Sequence, residues 1–211
     1  MAGIEEVSEA LQKGKAKVVK ELVQELVDDG VDAKKILNEG LLFGMSVIGE
    51  KFKNNEVFVP EVLVAARAMN AGLAILEPKL AEVGNVSVGK AVIGTVKGDL
   101  HDIGKNLVSM MLKGAGFEVV DLGVDVGAEQ FVERAEEVGA DIICISALLT
   151  TTMLNMKSTI DLLSEKGIRD KYIVMVGGAP VNDNFAKQIG ADYYAADAAT
   201  AATVAKQAIA Q

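Results

Sequence analysis

KAVIGTVKGDLHDIGKNLVSMMLKGAG, residues 90–116, begins as a strand and ends as a helix. Lys90–Val96 is a short β-rich run. Ile103, Leu107, Met110, Met111 and Leu112 then recur at helical spacing until Gly114 and Gly116 stop the pattern. The chain's only histidine, His101, therefore lies on a strand-to-helix loop. In open α/β sheets such loops sit at the carboxyl edge of the strands, where ligands bind. The spacing Asp99-x-His101 suits a metal-bound imidazole, because a ligating ring nitrogen is usually matched by a carboxylate on the other nitrogen. Gly98 and Gly104 remove side chains where something bulky comes close to the backbone. The same residues also fit a helix-capping Asp99 or Asp102 beside a solvent-facing histidine, and the stretch alone does not choose between the two.

Downstream, the strand–helix alternation continues. Strands are expected at Ala91–Val96, Glu118–Leu122, Asp141–Ser146, Tyr172–Val176 and Asp192–Tyr194, separated by helices near 103–114, 128–138, 152–166 and 182–189, with an Ala-rich helix at 198–210. The strands are continuous Val/Ile runs, as a parallel sheet buried on both faces requires. Right-handed crossovers make this a doubly wound, five-stranded, flavodoxin-like sheet, for which the order 2-1-3-4-5 is expected by analogy. Upstream the period is helical throughout. Glu5–Lys13, Lys15–Asp28, a short Asp32-capped helix through Leu37, Gly40–Lys53 and Pro60–Leu80 read as an antiparallel bundle. EVGNVSVG, residues 82–89, has no helical period. The expected division is thus a helical domain over 1–83, a linker over 84–89 and an α/β domain over 90–211.

Half of the 211 residues are hydrophobic, only 4% are aromatic, and the net charge of −9 is spread over both halves. An acidic surface of this kind repels nucleic acid and anionic membrane. One cysteine excludes an intrachain disulfide, the start MAGIEEVSEA lacks the features of a signal peptide, and no apolar run reads as long enough to span a membrane. A reducing cytoplasm is the expected setting.

In a parallel sheet the loops after strands one, three and four share an edge. The first carries Asp99, His101, Asp102, Ile103 and Gly104. The third is SALLTTT, with Ser146, Leu148, Thr150 and Thr151, and the fourth is VGGAP, with Gly177 and Gly178. There is no G-x-G-x-x-G and no lysine-bearing phosphate loop, and the acidic residues do not form the cluster of a phosphorylated receiver. One histidine and one aspartate do not make a zinc site, which takes three or four protein ligands. A single imidazole makes sense where a macrocycle supplies the other ligands.

Asp99-x-His101-x-x-Gly104, then Ser146-x-Leu148, then Gly177-Gly178 resembles the motif set of cobalamin-binding domains in which a histidine replaces the cofactor's own lower base. GEKFKNNEVFVPEVLVAARAM, residues 49–69, and Leu76-Glu77-Pro78 resemble the helical cap of methyl-carrying corrinoid proteins and of methionine synthase, so the likeness covers essentially the whole chain. It implies an α plus α/β, cobalamin-binding fold: a helical cap followed by the doubly wound sheet. It also implies His101 as axial cobalt ligand, Asp99 as its hydrogen-bond partner with Ser146 extending that network, and Gly104, Leu148, Gly177 and Gly178 lining the slot for the displaced nucleotide tail. In the cap it implies Phe58 and Val62 near the methyl group, although bundle core also accounts for such residues. A family member of this kind is a methyl carrier and no enzyme by itself. It serves a substrate-specific methyltransferase and a second methyltransferase with a tetrahydrofolate or thiol acceptor, and it calls for a reductive activator. Cobalamin-dependent sensors and radical mutases share the cofactor domain. The first carry an appended DNA-binding domain, and the second lack the helical cap.

Overall fold

The computed structural model describes residues 3–83 and 87–210, which form two compact units, one helical and one α/β. Of the expected linker, residues 84–86 lie outside the described residues, and Ser87–Gly89 lead without regular structure into the first strand.

The helical unit contains α1 (Ile4–Gln12), α2 (Ala16–Asp28), α3 (Ala33–Lys35), α4 (Phe43–Lys53) and α5 (Val59–Val83). Val19, Val23 and Leu26 of α2 are buried, and α2 packs most extensively on α5. The break expected between Leu37 and Gly40 does not occur: Ile36–Leu42 continues as a π-helical segment that joins α3 to α4. The glycines there mark close packing against α1. A Cβ on Gly40 would come within 3.3 Å of Val7 Cγ1, and one on Gly44 within 3.1 Å of Ser8 Cα. Pro60 falls in the first turn of α5, where its missing N–H leaves no bond unmade. Just before it, the Phe58 N–H donates to Glu61 Oε2 at 3.0 Å, and the Phe58 carbonyl accepts from the N–H groups of Glu61 and Val62. Contrary to the sequence reading, Val59–Leu80 has the length and composition to cross a membrane. Its Val62, Ala65, Ala68, Met69 and Leu76 are nonetheless buried within the protein, the pattern of a bundle helix.

The α/β unit contains β1 (Lys90–Thr95), α6 (Ile103–Gly114), β2 (Glu118–Asp121), α7 (Ala128–Val138), β3 (Ile142–Ser146), α8 (Leu154–Glu165), β4 (Ile173–Gly177), α9 (Asp183–Ile189), β5 (Tyr193–Ala195) and α10 (Ala198–Ile209). All pairings are parallel, and the order is β2-β1-β3-β4-β5. The central strands β1, β3 and β4 are buried almost end to end, whereas the edge strand β2 is exposed at both ends, as the aliphatic runs required. Thr95, Ser146 and Gly177 pair across β1, β3 and β4, so the three loops named above leave the sheet at one level.

Helix α6 departs from its apolar periodicity. Lys105 and Ser109 are buried, while Ile103 is 75% exposed and Leu107 and Met110 are only partly covered. Lys105 occupies the inward position because its Nζ reaches the Asp121 carboxylate at the end of β2, 2.6 Å from Oδ1, and Asn106 Oδ1 at 2.7 Å.

Candidate functional site

Asp99 is completely buried, and its carboxylate is surrounded by donors. Oδ1 lies 2.7 Å from His101 Nδ1 and accepts the His101 N–H at 3.1 Å. Oδ2 accepts the N–H groups of Leu148 and Leu149 at 2.8 and 3.1 Å and the Thr152 hydroxyl at 2.9 Å. Burial acts to raise the Asp99 pKa. The bonds from the His101 ring, from the Leu148 and His101 amides and from Thr152 outweigh it and hold the carboxyl well below the usual carboxylate range. An ionised carboxylate only accepts hydrogen bonds, so Nδ1 of neutral His101 carries its proton toward Asp99, and Nε2 keeps a free lone pair. The imidazole is 51% exposed. The Thr95 hydroxyl donates to the His101 carbonyl at 2.9 Å, and Asn155 Nδ2 donates to the Lys97 carbonyl at 2.7 Å, so the ligand loop is also tied to β1 and α8.

The sequence-predicted residues fall into several groups. Asp99 Oδ1 lies against His101 Nδ1, and the main chain of Leu148, expected only to line the tail slot, joins them through its N–H bond to Asp99 Oδ2. Asp102 caps α6: its carbonyl accepts the Asn106 N–H, and its Oδ2 accepts from Asn106 Nδ2. The hydroxyl on Asp99 is that of Thr152, not Ser146. Ser146 ends β3 and gives its carbonyl to the Val96 N–H, while Thr150 is exposed on the turn. Thr152 was missed, although it is the third threonine of the run that drew attention to Thr150 and Thr151; only the turn geometry after β3 selects it. Val62 and Met69 are both buried, as bundle-core residues are. Phe58 is 63% exposed. Cys144 is buried and its thiol is pushed up to about 12 by desolvation, which fits an inert structural role.

The glycines divide as sharply. A Cβ on Gly178, whose φ is 128°, would fall on the Ala147 carbonyl oxygen, and one on Gly177 would come within 3.1 Å of the Ala195 carbonyl. The fold itself therefore accounts for both. A Cβ on Gly104 would meet nothing within 4 Å among the described residues, so no contact there requires glycine.

A large planar macrocycle with one open axial position fits this arrangement. A single imidazole offers one nitrogen, no group of three or more His, Cys, Asp or Glu side chains could hold a metal among the described residues, and Leu100, Ile103, Leu148, Leu149 and Leu154 leave aliphatic surface exposed in the same loops and at their helix starts. Burying such surface is worth about 25 cal/mol per Å².

Two matches to family models described as B12 binding domains cover residues 89–205 and 4–77, so the fold and site define a B12-binding protein. A corrinoid protein of Desulfitobacterium hafniense is 47% identical over 98% of this chain and 97% of its own length, and a dimethylamine corrinoid protein of Methanosarcina barkeri is 46% identical over 90% and 98%. Among solved structures, the methanol:cobalamin methyltransferase complex MtaBC of Methanosarcina barkeri matches with a TM-score of 0.89 at 32% identity, covering 98% of this chain and 79% of that one. The chain belongs to the family of methyltransferase-associated corrinoid proteins, and its cofactor is cobalamin or a related corrinoid.

Proposed function

We propose that this protein carries a methyl group on corrinoid cobalt from a substrate-specific methyltransferase to a second methyltransferase, which passes it to an acceptor such as tetrahydrofolate or a thiol. The observation that carries the reading is the half-exposed His101 imidazole, whose Nδ1 lies 2.7 Å from the fully buried Asp99 carboxylate. Relatives named dimethylamine and trimethylamine corrinoid proteins, 46% and 42% identical, favour a methylated amine as the methyl source. The substrate-specific partner brings that donor's site, and a reductive activator restores the cobalt when it is oxidised.

The corrinoid, when bound, supplies the metal that takes up and gives up the methyl group. His101 would hold the cobalt through Nε2. Asp99 holds the proton at Nδ1 and fixes the ring plane, and Thr152 with the Leu148 and Leu149 amides fixes Asp99. Gly104, Leu148, Gly177 and Gly178 are proposed to line the nucleotide-tail slot, Asp102, Ile103, Ser146 and Thr150 to bind the cofactor beside it, and Phe58 to shield the reactive face.

The direct test is a visible absorption spectrum of wild type and His101→Ala after loading with hydroxocobalamin and desalting. Wild type is expected to retain corrinoid with a spectrum that changes in the variant, and a folded wild type that retains none would sink the proposal. Gly104→Leu separates slot from fold. With open space around Gly104, its melting temperature should stay within about 3 °C of wild type, a change of roughly 1 kcal/mol or less. Corrinoid retention should fall at least tenfold, about 1.4 kcal/mol. Undiminished retention would remove Gly104 from the slot.

A further inference from the structure

Asp125 lies in the loop after β2, outside the three loops that carry the predicted site residues. Among the described residues, it and Asn55 are the two non-glycine residues with positive φ, at 56° and 59°. Aspartate enters that left-handed region at a cost, and such a conformation persists only where its surroundings over-determine it. Here two contacts do so. Asp125 Oδ1 accepts the Gly98 N–H at 2.7 Å, and the Asp125 N–H donates to the Asp99 carbonyl at 3.0 Å. One residue thus grips the main chain at two successive residues, the Gly98 N–H and the Asp99 carbonyl, the second belonging to the residue whose carboxylate lies against His101. The grip is itself anchored. The Val126 N–H donates to the Thr95 carbonyl at 2.9 Å and the Thr95 N–H to the Gly123 carbonyl at 3.0 Å, extending the β1–β2 ladder past the ends of the strands.

We infer that Asp125 is a positioning residue for the axial ligand: by fixing the main chain at Gly98 and Asp99 it sets where Asp99 Oδ1 meets His101 Nδ1. The inference rests on the corrinoid-carrier reading for its purpose, but its geometry belongs to the protein alone. Outer partners of a metal ligand typically change affinity 10- to 100-fold when removed, through ring orientation and tautomer.

Two variants test it. Asp125→Gly keeps the backbone conformation and the amide donor and deletes only the acceptor for Gly98. Asp125→Asn tolerates the same φ and restores a side-chain oxygen. Each is compared with wild type in the corrinoid-free protein by ¹⁵N NMR of the His101 ring at one fixed pH, and then by hydroxocobalamin binding and visible spectrum. In Asp125→Gly the ring is expected to lose its single Nδ1–H form and hydroxocobalamin binding to weaken at least about tenfold. Asp125→Asn should return both towards wild type. Wild-type ring signals and affinity in Asp125→Gly, or equal damage in Asp125→Asn, would overturn the inference. If wild type binds no corrinoid the carrier reading fails, while the ring signals still decide the positioning role.

Discussion

Gly178→Ala is expected to be strongly destabilising, through a backbone clash in the α/β unit. The added methyl carbon would overlap the Ala147 carbonyl oxygen and carbon, backbone atoms that cannot turn aside, and press on its amide nitrogen at 3.2 Å. The clash falls where β3 and β4 run side by side at their carboxyl ends, with Ser146 paired to Gly177 and the Ala147 N–H donating to the Gly177 carbonyl at 3.2 Å. Relief therefore means separating two central strands or rotating a peptide whose φ of 128° already belongs to glycine. The backbone term alone is about 1–3 kcal/mol, and lost packing adds to it, so a melting temperature at least about 10 °C lower is the expected result in a thermal scan followed by circular dichroism. A variant that melts with wild type would mean that the strand ends yield far more readily than their pairing implies. The contrast with Gly104→Leu matters, because both glycines belong to the same recognised motif set. In Gly178 the motif has a reason inside the protein, and in Gly104 it has none.

That contrast also marks how far the sequence could be read. Continuous aliphatic runs in β1, β3 and β4 can only be strands buried on both faces, so sheet class, strand positions to within about a residue and the shared edge followed from pattern alone. Asp99 and His101 were legible because two residues apart on one loop is a local distance. Contacts closed between loops were not. Thr152 reaches Asp99 across 53 positions and Asp125 reaches Gly98 across 27, and nothing in a run of threonines or in an ordinary Asp tells which one turns inward. Helix α6 misled for a related reason: hydrophobic periodicity assumes that the apolar side faces the core, whereas Lys105 was drawn inward by Asp121 and Ile103 was left outside. One helix was expected to end at Leu37 and another to begin at Gly40, with Gly44 inside it, whereas the chain stays helical through both glycines. In the folded unit they permit a helix crossing that a larger residue would prevent.

Asp99→Asn is expected to separate the fold from the ligand chemistry more cleanly than any deletion. Asp99→Ala would leave the Leu148 and Leu149 amides without this acceptor and turn the Thr152 hydroxyl to the Leu149 carbonyl, at about 1–3 kcal/mol for each amide that stays buried, and any loss of binding would be tangled with loss of structure. Asparagine keeps the shape and one oxygen. If that oxygen serves the three donors on the β3 side, the amide NH₂ is turned towards the His101 N–H and Nδ1. Nδ1 must then accept, and the ring proton moves to Nε2, the atom proposed to hold the cobalt. The opposite flip sets NH₂ against three donors instead. Either way the variant should fold with reduced stability, retain hydroxocobalamin 10- to 100-fold less well, and show the visible spectrum of His101→Ala although its imidazole is still present. Acid titration supplies a second signature. Because the folded Asp99 carboxyl is held low, its contribution to stability is present above the unfolded value of about 3.9 and is lost as pH falls from there towards the folded value. Asp99→Asn should lack that part of the acid destabilisation. A wild-type spectrum together with an Nδ1–H ring in Asp99→Asn would show that the neighbouring Leu148, Leu149 and Thr152 donors do not dictate the tautomer, and the role given to the buried carboxylate would have to be withdrawn.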